Sequence, residues 1–335
     1  LTPSLSFAQG SGLNGTKERI NLLQAPTKCQ NYTVFMTDGT GEIRVNGADS
    51  KADVPCQFLE KGGVIYFPES PFWISPDDRE FLLSIKQNSA DYTKNIAYRP
   101  ALDKVTGLSK SSAREVENLH RIMADFHRQV TVFLESFLSP YASEWKADFA
   151  TFRPIEEKGR KMRTRARNDL LHVDSFATRP IYGDRILRTF LNVNPTQKRV
   201  WHTADTFEQL LKTFKDSMPS PAPFKNSGRN GGHDNPVKAI AQRLGFKLSG
   251  TSPYDDWMLN FHNFLKENAD FQKNCRKDRW EFPPNSTWIV FTDMVSHSVL
   301  SGQYALEQTF IVSQNSLLLP AKAPINILRR TYGVS

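Results

Sequence analysis

At 335 residues, with 39 % hydrophobic, 23 % charged and 11 % aromatic side chains, the chain has the make-up of one or two folded domains. That excludes a disordered tail, a coiled coil and a disulfide-stapled mini-protein. No run approaches the roughly 18 to 20 consecutive apolar residues of a membrane-spanning helix, and the formal charge of +8 favours an acidic partner: nucleic acid, anionic lipid headgroups, or a carboxylated or phosphorylated substrate.

Leu1 to Gly12 lack the basic-then-apolar pattern of a secretion signal. Cys29, Cys56 and Cys275 form no CxxC pair, which excludes a zinc ribbon and a thioredoxin-type motif and makes a reduced cytosolic setting the economical expectation. A Cys29–Cys56 bridge stays open on spacing alone. Residues 1–55 are rich in Gly, Asn, Ser and Thr, with short β-like pieces at Tyr32 to Met36 and Glu42 to Val45 between turn signals, and read as an N-terminal extension.

From Gly62 the texture changes. Val64 to Phe67 reads as a buried strand stopped by Pro68, and Pro76 opens a helix. The clearest helix starts at Ser112, where Ser112 and Glu115 form a capping-box pattern, and carries Val116, Leu119, Met123, Phe126, Val130, Phe133 and Phe137 on one face. His120 and His127 on that helix read as surface or boundary residues. After Pro154 the pattern is strand-like through Asn194, followed by a helix at Phe207 to Phe214, a linker at Pro219 to Pro236, a helix from Pro253 to Lys266, and strands at Thr287 to Phe291 and Tyr304 to Val312. Helices inside a β-rich second half predict a β-barrel or sandwich with helical insertions.

Of the seven histidines, His172 alone is followed two residues later by an acid, Asp174. On an extended strand the two side chains project to one face. A second histidine, His297, follows the apolar strand ending at Phe291. Two imidazoles and one carboxylate can cap one face of an octahedral ferrous ion and leave three positions open. The residual positive charge suits a dianionic 2-oxo acid, whose distal carboxylate needs a buried cation. No basic residue occurs from Ser298 to Ala321, so Arg188 is the candidate, with Asn192 on the same strand face; Arg185 falls on the other face as a structural or surface residue. The competing reading at this point is a buried histidine bonded to a nearby aspartate, with an unrelated surface histidine. Asp293 is placed either as a partner orienting His297 or as a turn residue. Tyr254 and His262 read as packing residues, and Trp201 and His202 as possible pocket lining.

His172-Val173-Asp174 with Arg179-Pro180, Gly183-Asp184-Arg185-Ile186-Leu187-Arg188-Thr189-Phe190 with Asn192-Val193-Asn194-Pro195, Phe282-Pro283-Pro284-Asn285-Ser286-Thr287-Trp288, His297, Gly302-Gln303-Tyr304 and Glu307-Gln308-Thr309-Phe310 resemble the bacterial Kdo hydroxylase family. These are iron- and 2-oxoglutarate-dependent dioxygenases acting on 3-deoxy-D-manno-octulosonic acid (Kdo). The resemblance covers roughly residues 62–330. It implies a mainly β fold with helices: a double-stranded β-helix (jelly roll) core with helical buttresses over residues 56–335, outside the 1–55 extension. It further implies Fe(II), 2-oxoglutarate and O2, with His172, Asp174 and His297 as metal ligands and Arg188 and Asn192 toward the cosubstrate. The implied reaction is hydroxylation of Kdo at carbon 3 to form Ko on Kdo-bearing lipid A, by a cytoplasmic protein in peripheral contact with the bacterial inner membrane.

An anionic glycolipid calls for a basic mouth, for which Arg163, Arg165, Arg167 and Arg179 are the substrate or headgroup candidates. The rival use of the Lys158 to Arg167 cluster, nucleic-acid binding, lacks interleaved aromatics for base stacking and any known reader motif. No nucleic acid is therefore expected as a partner.

Overall fold

The computed structural model describes residues 32–36, 41–45, 51–87, 95–108, 112–224 and 252–334. Twelve strands lie among them: β1 (Tyr32–Met36), β2 (Gly41–Val45), β3 (Gly63–Phe67), β4 (Ile96–Arg99), β5 (Lys104–Thr106), β6 (Trp145–Arg153), β7 (Arg185–Asn192), β8 (Arg199–Thr206), β9 (Asp278–Phe282), β10 (Thr287–Phe291), β11 (Val295–Ser301) and β12 (Ala305–Val312). The described helices are α1 (Asp53–Glu60), α2 (Pro76–Ser84), α3 (Ala113–Phe137), α4 (Ser139–Ala142), α5 (Phe207–Phe214), α6 (Pro253–Glu267), α7 (Ala269–Asn274) and α8 (Pro324–Tyr332).

All pairings are antiparallel. A major sheet runs β2-β1-β3-β10-β7-β12-β6-β4-β5 and a minor sheet β11-β8-β9. Strand alternation sends one set of side chains from the major sheet toward the minor one and the other set toward the helices. Phe190 of β7 and Trp288 of β10 stack at 5.0 Å and meet Trp201 of β8, while Phe282 of β9 stacks on Trp288 at 3.9 Å. This aromatic cluster joins the two sheets. On the opposite face Phe67 packs against Phe133 and Phe137 of α3, whose capping box at Ser112 and Glu115 forms as the sequence predicts.

Two expectations change. The stretch from Pro154 to Asp184 is not a continuous strand: Gly159 and Gly183 adopt positive φ, a short 3-10 turn spans Thr164–Ala166, and only His172 makes a bridge. Glycines and Pro180 break the ladder that β-rich composition alone suggested. β6, unmarked in the sequence reading, lies between β12 and β4 in the major sheet.

The described part of residues 1–55 continues the major sheet, with β1 paired between β2 and β3 and Val34 fully buried. Position 55 falls inside α1. Cys56 and Cys275 are free thiols, and Cys29, the other half of the bridge considered above, lies outside the described residues, as do residues 225–236 of the linker.

Candidate active site

His172 sits on an otherwise irregular segment that reaches the free edge of β11. There His172 and His297 exchange both backbone hydrogen bonds, His172 N–H to the His297 carbonyl at 3.1 Å and the reverse at 2.9 Å. The Asp174 N–H donates to the Thr292 carbonyl at 2.8 Å. The His172 segment thus acts as a fourth strand of the minor sheet for one residue, which sets the two histidines side by side with ring centroids 4.7 Å apart.

Each ring is then oriented by its own backbone neighbourhood. His172 Nδ1 contacts the Leu170 carbonyl at 2.7 Å and His297 Nδ1 the Val295 carbonyl at 2.9 Å. A carbonyl can only accept, so Nδ1 carries the proton in both rings and both Nε2 lone pairs are left free. Those Nε2 atoms lie 3.6 Å and 4.0 Å from the Asp174 carboxylate oxygens. Ligand atoms bonded at about 2.1 Å on one face of an octahedral ion lie about 3.0 Å apart, so these separations bring the three groups to within about 1 Å of the spacing a shared cation needs. Burial, with Lys266 adding to it, lowers the pKa of His172, and burial does the same for His297, which favours the neutral rings that metal ligation would require. For Asp174 burial acts upward but is outweighed by its neighbours, the Arg188 guanidinium first, which hold it well below the usual carboxylate range.

A third imidazole belongs to the cluster. Ligand atoms of His172, Asp174 and His262 lie within 4.8 Å of one another, and the His262 ring meets His172 edge-on at 4.8 Å. Its Nδ1 donates to the Val173 carbonyl at 2.7 Å, and burial pushes its pKa down to about 4. Packing, the sequence expectation for His262, is therefore packing against a candidate ligand. Trp201 stacks on His297 at 5.3 Å, whereas His202 is half-exposed.

Arg188 projects from the inward face of β7 beside this cluster. Its Nη2 lies 3.0 Å from Asp174 Oδ2 as an ion pair whose angle falls short of a hydrogen bond, and its Nη1 donates to Glu307 Oε1 at 2.7 Å. Glu307 also receives Arg153 through Nε at 2.9 Å and through Nη2. Burial, which raises the Glu307 pKa, is outweighed by Arg153 and Arg188. Arg179 contacts Asp148 and lies between the Phe149 and Phe176 rings, 4.3 Å and 4.0 Å from their centroids, with 32 % of its side chain exposed. Phe176 also stands 5.5 Å from the Arg188 guanidinium, so aromatic faces connect the exposed arginine to the buried one.

Several sequence assignments move. Asn192 does not face a ligand: its Nδ2 donates to the Gln197, Phe282 and Pro283 carbonyls and its Oδ1 accepts from Asn194 N–H, because β7 ends there and the turn needs those partners. Asp293 does not orient His297; it forms a fully buried pair with Arg185, which lies over Phe291. Arg165 pairs with Glu267 and Arg167 with Asp169. Thr164 and Arg167 line a cleft of about 570 Å³ with Leu170, Lys266, Glu267, Gln272 and Lys273, three cations to one carboxylate, one residue away from the Leu171 backbone that precedes His172.

Two sheets of a jelly roll, a His-x-Asp segment bridged to a distal histidine, and a buried arginine beside them define the class of non-haem iron, 2-oxoglutarate-dependent oxygenases. Residues 43–335 match the family model described as 3-deoxy-D-manno-oct-2-ulosonic acid (Kdo) hydroxylase, and the chain belongs to that family. It is similar to the crystal structure of the Kdo hydroxylase KdoO in complex with alpha-ketoglutarate and Fe(III), at 31 % identity and a TM-score of 0.72 over 85 % of this chain and 90 % of that one. Similar agreement holds for KdoO in complex with cobalt(II), again 31 % identical with a TM-score of 0.72, over 85 % and 91 % of the two chains. The apo form matches at the same identity and TM-score over 84 % and 90 %. Comparison with curated proteins finds no match.

Proposed function

We propose that the protein hydroxylates Kdo at carbon 3, forming Ko on Kdo-bearing lipid A, with His172, Asp174 and His297 holding ferrous iron and Arg188 receiving the distal carboxylate of 2-oxoglutarate. The observation that carries this reading is the pinning of both Nδ1 atoms to backbone carbonyls, which leaves two Nε2 lone pairs beside one buried carboxylate. When bound, iron and 2-oxoglutarate supply oxygen activation coupled to decarboxylation of the cosubstrate to succinate. His297 is preferred to His262 as the second imidazole ligand because its backbone is paired directly to that of His172.

The chain's own groups divide the remaining work. Arg188 offers a forked, permanently charged donor set, and Glu307 is the carboxylate that a bound cosubstrate would compete with for it. Arg179, partly exposed and held between two rings, is assigned to the Kdo carboxylate. Arg163, Arg165 and Arg167, beside the basic cleft, are assigned to the phosphates of lipid A, although Glu267 and Asp169 already neutralise two of them. Among the described residues no helix is long and apolar enough to cross a membrane, and we assign contact with the cytoplasmic face of the inner membrane to this charged surface.

The test is a mass-resolved assay with iron, ascorbate, 2-oxoglutarate and Kdo-bearing lipid A. The expected product is heavier by one oxygen on the Kdo residue, with oxygen-dependent release of succinate. Turnover of another acidic glycan with none of Kdo would retain the oxygenase and reject the substrate.

A further inference from the structure

The metal-ligand segment is an edge strand with one neighbour. β11 pairs with His172 on one side, and no strand of the described residues lies on the other, where the backbone of Leu171 and Val173 points. Leu171 and Val173 are buried, so their polar groups need partners. Side chains from α6 and α7 provide three of them. The Gln272 amide takes both groups of Leu171, accepting from its N–H at 2.9 Å and donating to its carbonyl at 2.9 Å. His262 donates through Nδ1 to the Val173 carbonyl at 2.7 Å, between the two candidate ligands His172 and Asp174, and its ring abuts His172. An amide and an imidazole thus stand in for a missing strand.

We infer that His262 is a positioning residue for the metal centre: its Nδ1–H fixes the peptide joining Val173 to Asp174, and so the angle between the His172 imidazole and the Asp174 carboxylate. The inference rests on the metal-site reading above. Residues that orient metal ligands through a hydrogen bond commonly change affinity by about 10- to 100-fold when lost. The chemistry also singles out the atom involved. An asparagine at 262 places an amide N–H near the Nδ1 position, whereas a glutamine places it near Nε2, where it cannot serve the Val173 carbonyl.

The experiment is titration of the metal-free full chain with Co(II), followed by visible absorption and calorimetry, for the parent, His262→Asn, His262→Gln and His297→Ala. His262→Asn should bind Co(II) within about threefold of the parent, and His262→Gln at least tenfold more weakly, with the parent's absorption bands retained in the Asn form. Equal affinity of the Gln form and the parent would overturn the inference. Equal loss in both forms, with altered bands, would overturn it in favour of direct ligation by His262. Failure of the parent to bind Co(II), or undiminished binding by His297→Ala, would instead refute the metal-site reading, so the two failures are separable.

Discussion

A guanidinium buried beside two carboxylates, as Arg188 is beside Asp174 and Glu307, stays charged: burial disfavours the charge, and the carboxylates more than restore it. Replacing Arg188 by leucine removes the fork while leaving both imidazoles and the aspartate in place. The 2-oxoglutarate affinity of the Co(II)-loaded protein should fall by about a hundredfold, the ~3 kcal/mol of a strong charge-assisted contact, while Co(II) binding persists at neutral pH. Calorimetric titration of both ligands measures this. Unchanged cosubstrate affinity would move the anchor elsewhere, to Arg153 first. Strand parity was enough to separate Arg188 from Arg185 in the sequence, because alternate residues of one strand face opposite sides. It could not foresee Glu307, Arg153 or the partners of Asn192, since each contact joins residues that a local period does not relate. His262 was hidden for the same reason: it lies on a helix 89 residues from the carbonyl it serves.

At the scale of elements, α3 was legible because its apolar stripe and capping box are local features, yet its docking is not. His127, on the boundary of that stripe, reaches Gln308 of β12 through Nδ1 at 3.0 Å, and Gln308 in turn donates to the Asp148 and Thr309 carbonyls. Helix and sheet are therefore joined through a half-buried imidazole. Burial lowers its pKa below the ordinary value of 6.5. As pH falls the unfolded chain takes up the proton first, so the folded state is favoured fully above about pH 6.5 and loses that advantage from there toward the lower folded pKa. The melting temperature should drop as the pH is lowered from 7 to 5, and His127→Asn, which keeps a donor at the Nδ1 position without a titrating ring, should flatten the drop. It should not abolish it, because His172, His262 and His297 are displaced in the same direction. An identical slope in the Asn variant would remove His127 from the acid response.

For the molecule as a whole, composition separated residues 1–55 from the rest, since turn-rich sequence without long periodic runs reads as an appendage. Hydrogen bonding joins what composition divides. β1 covers the edge of β3, Tyr32 sets its ring edge-on to Phe137 at 5.1 Å, and Val34 has no exposed surface. The strands therefore extend the same sheet that carries Arg188, with β3 and β10 between β1 and β7. Removing residues 1–50 would delete two core side chains, Tyr32 and Val34, whose burial is worth about 2 kcal/mol each, and leave β3 as an open edge. At about 2 °C per kcal/mol for a chain of this size, the shortened protein should melt roughly 8 °C below the full chain and associate more readily on standing. Calorimetry and light scattering of the two forms measure both effects. A truncated chain that melts with its parent and stays dispersed would mean that the first two strands contribute nothing to the sheet, and the domain would begin where composition placed it.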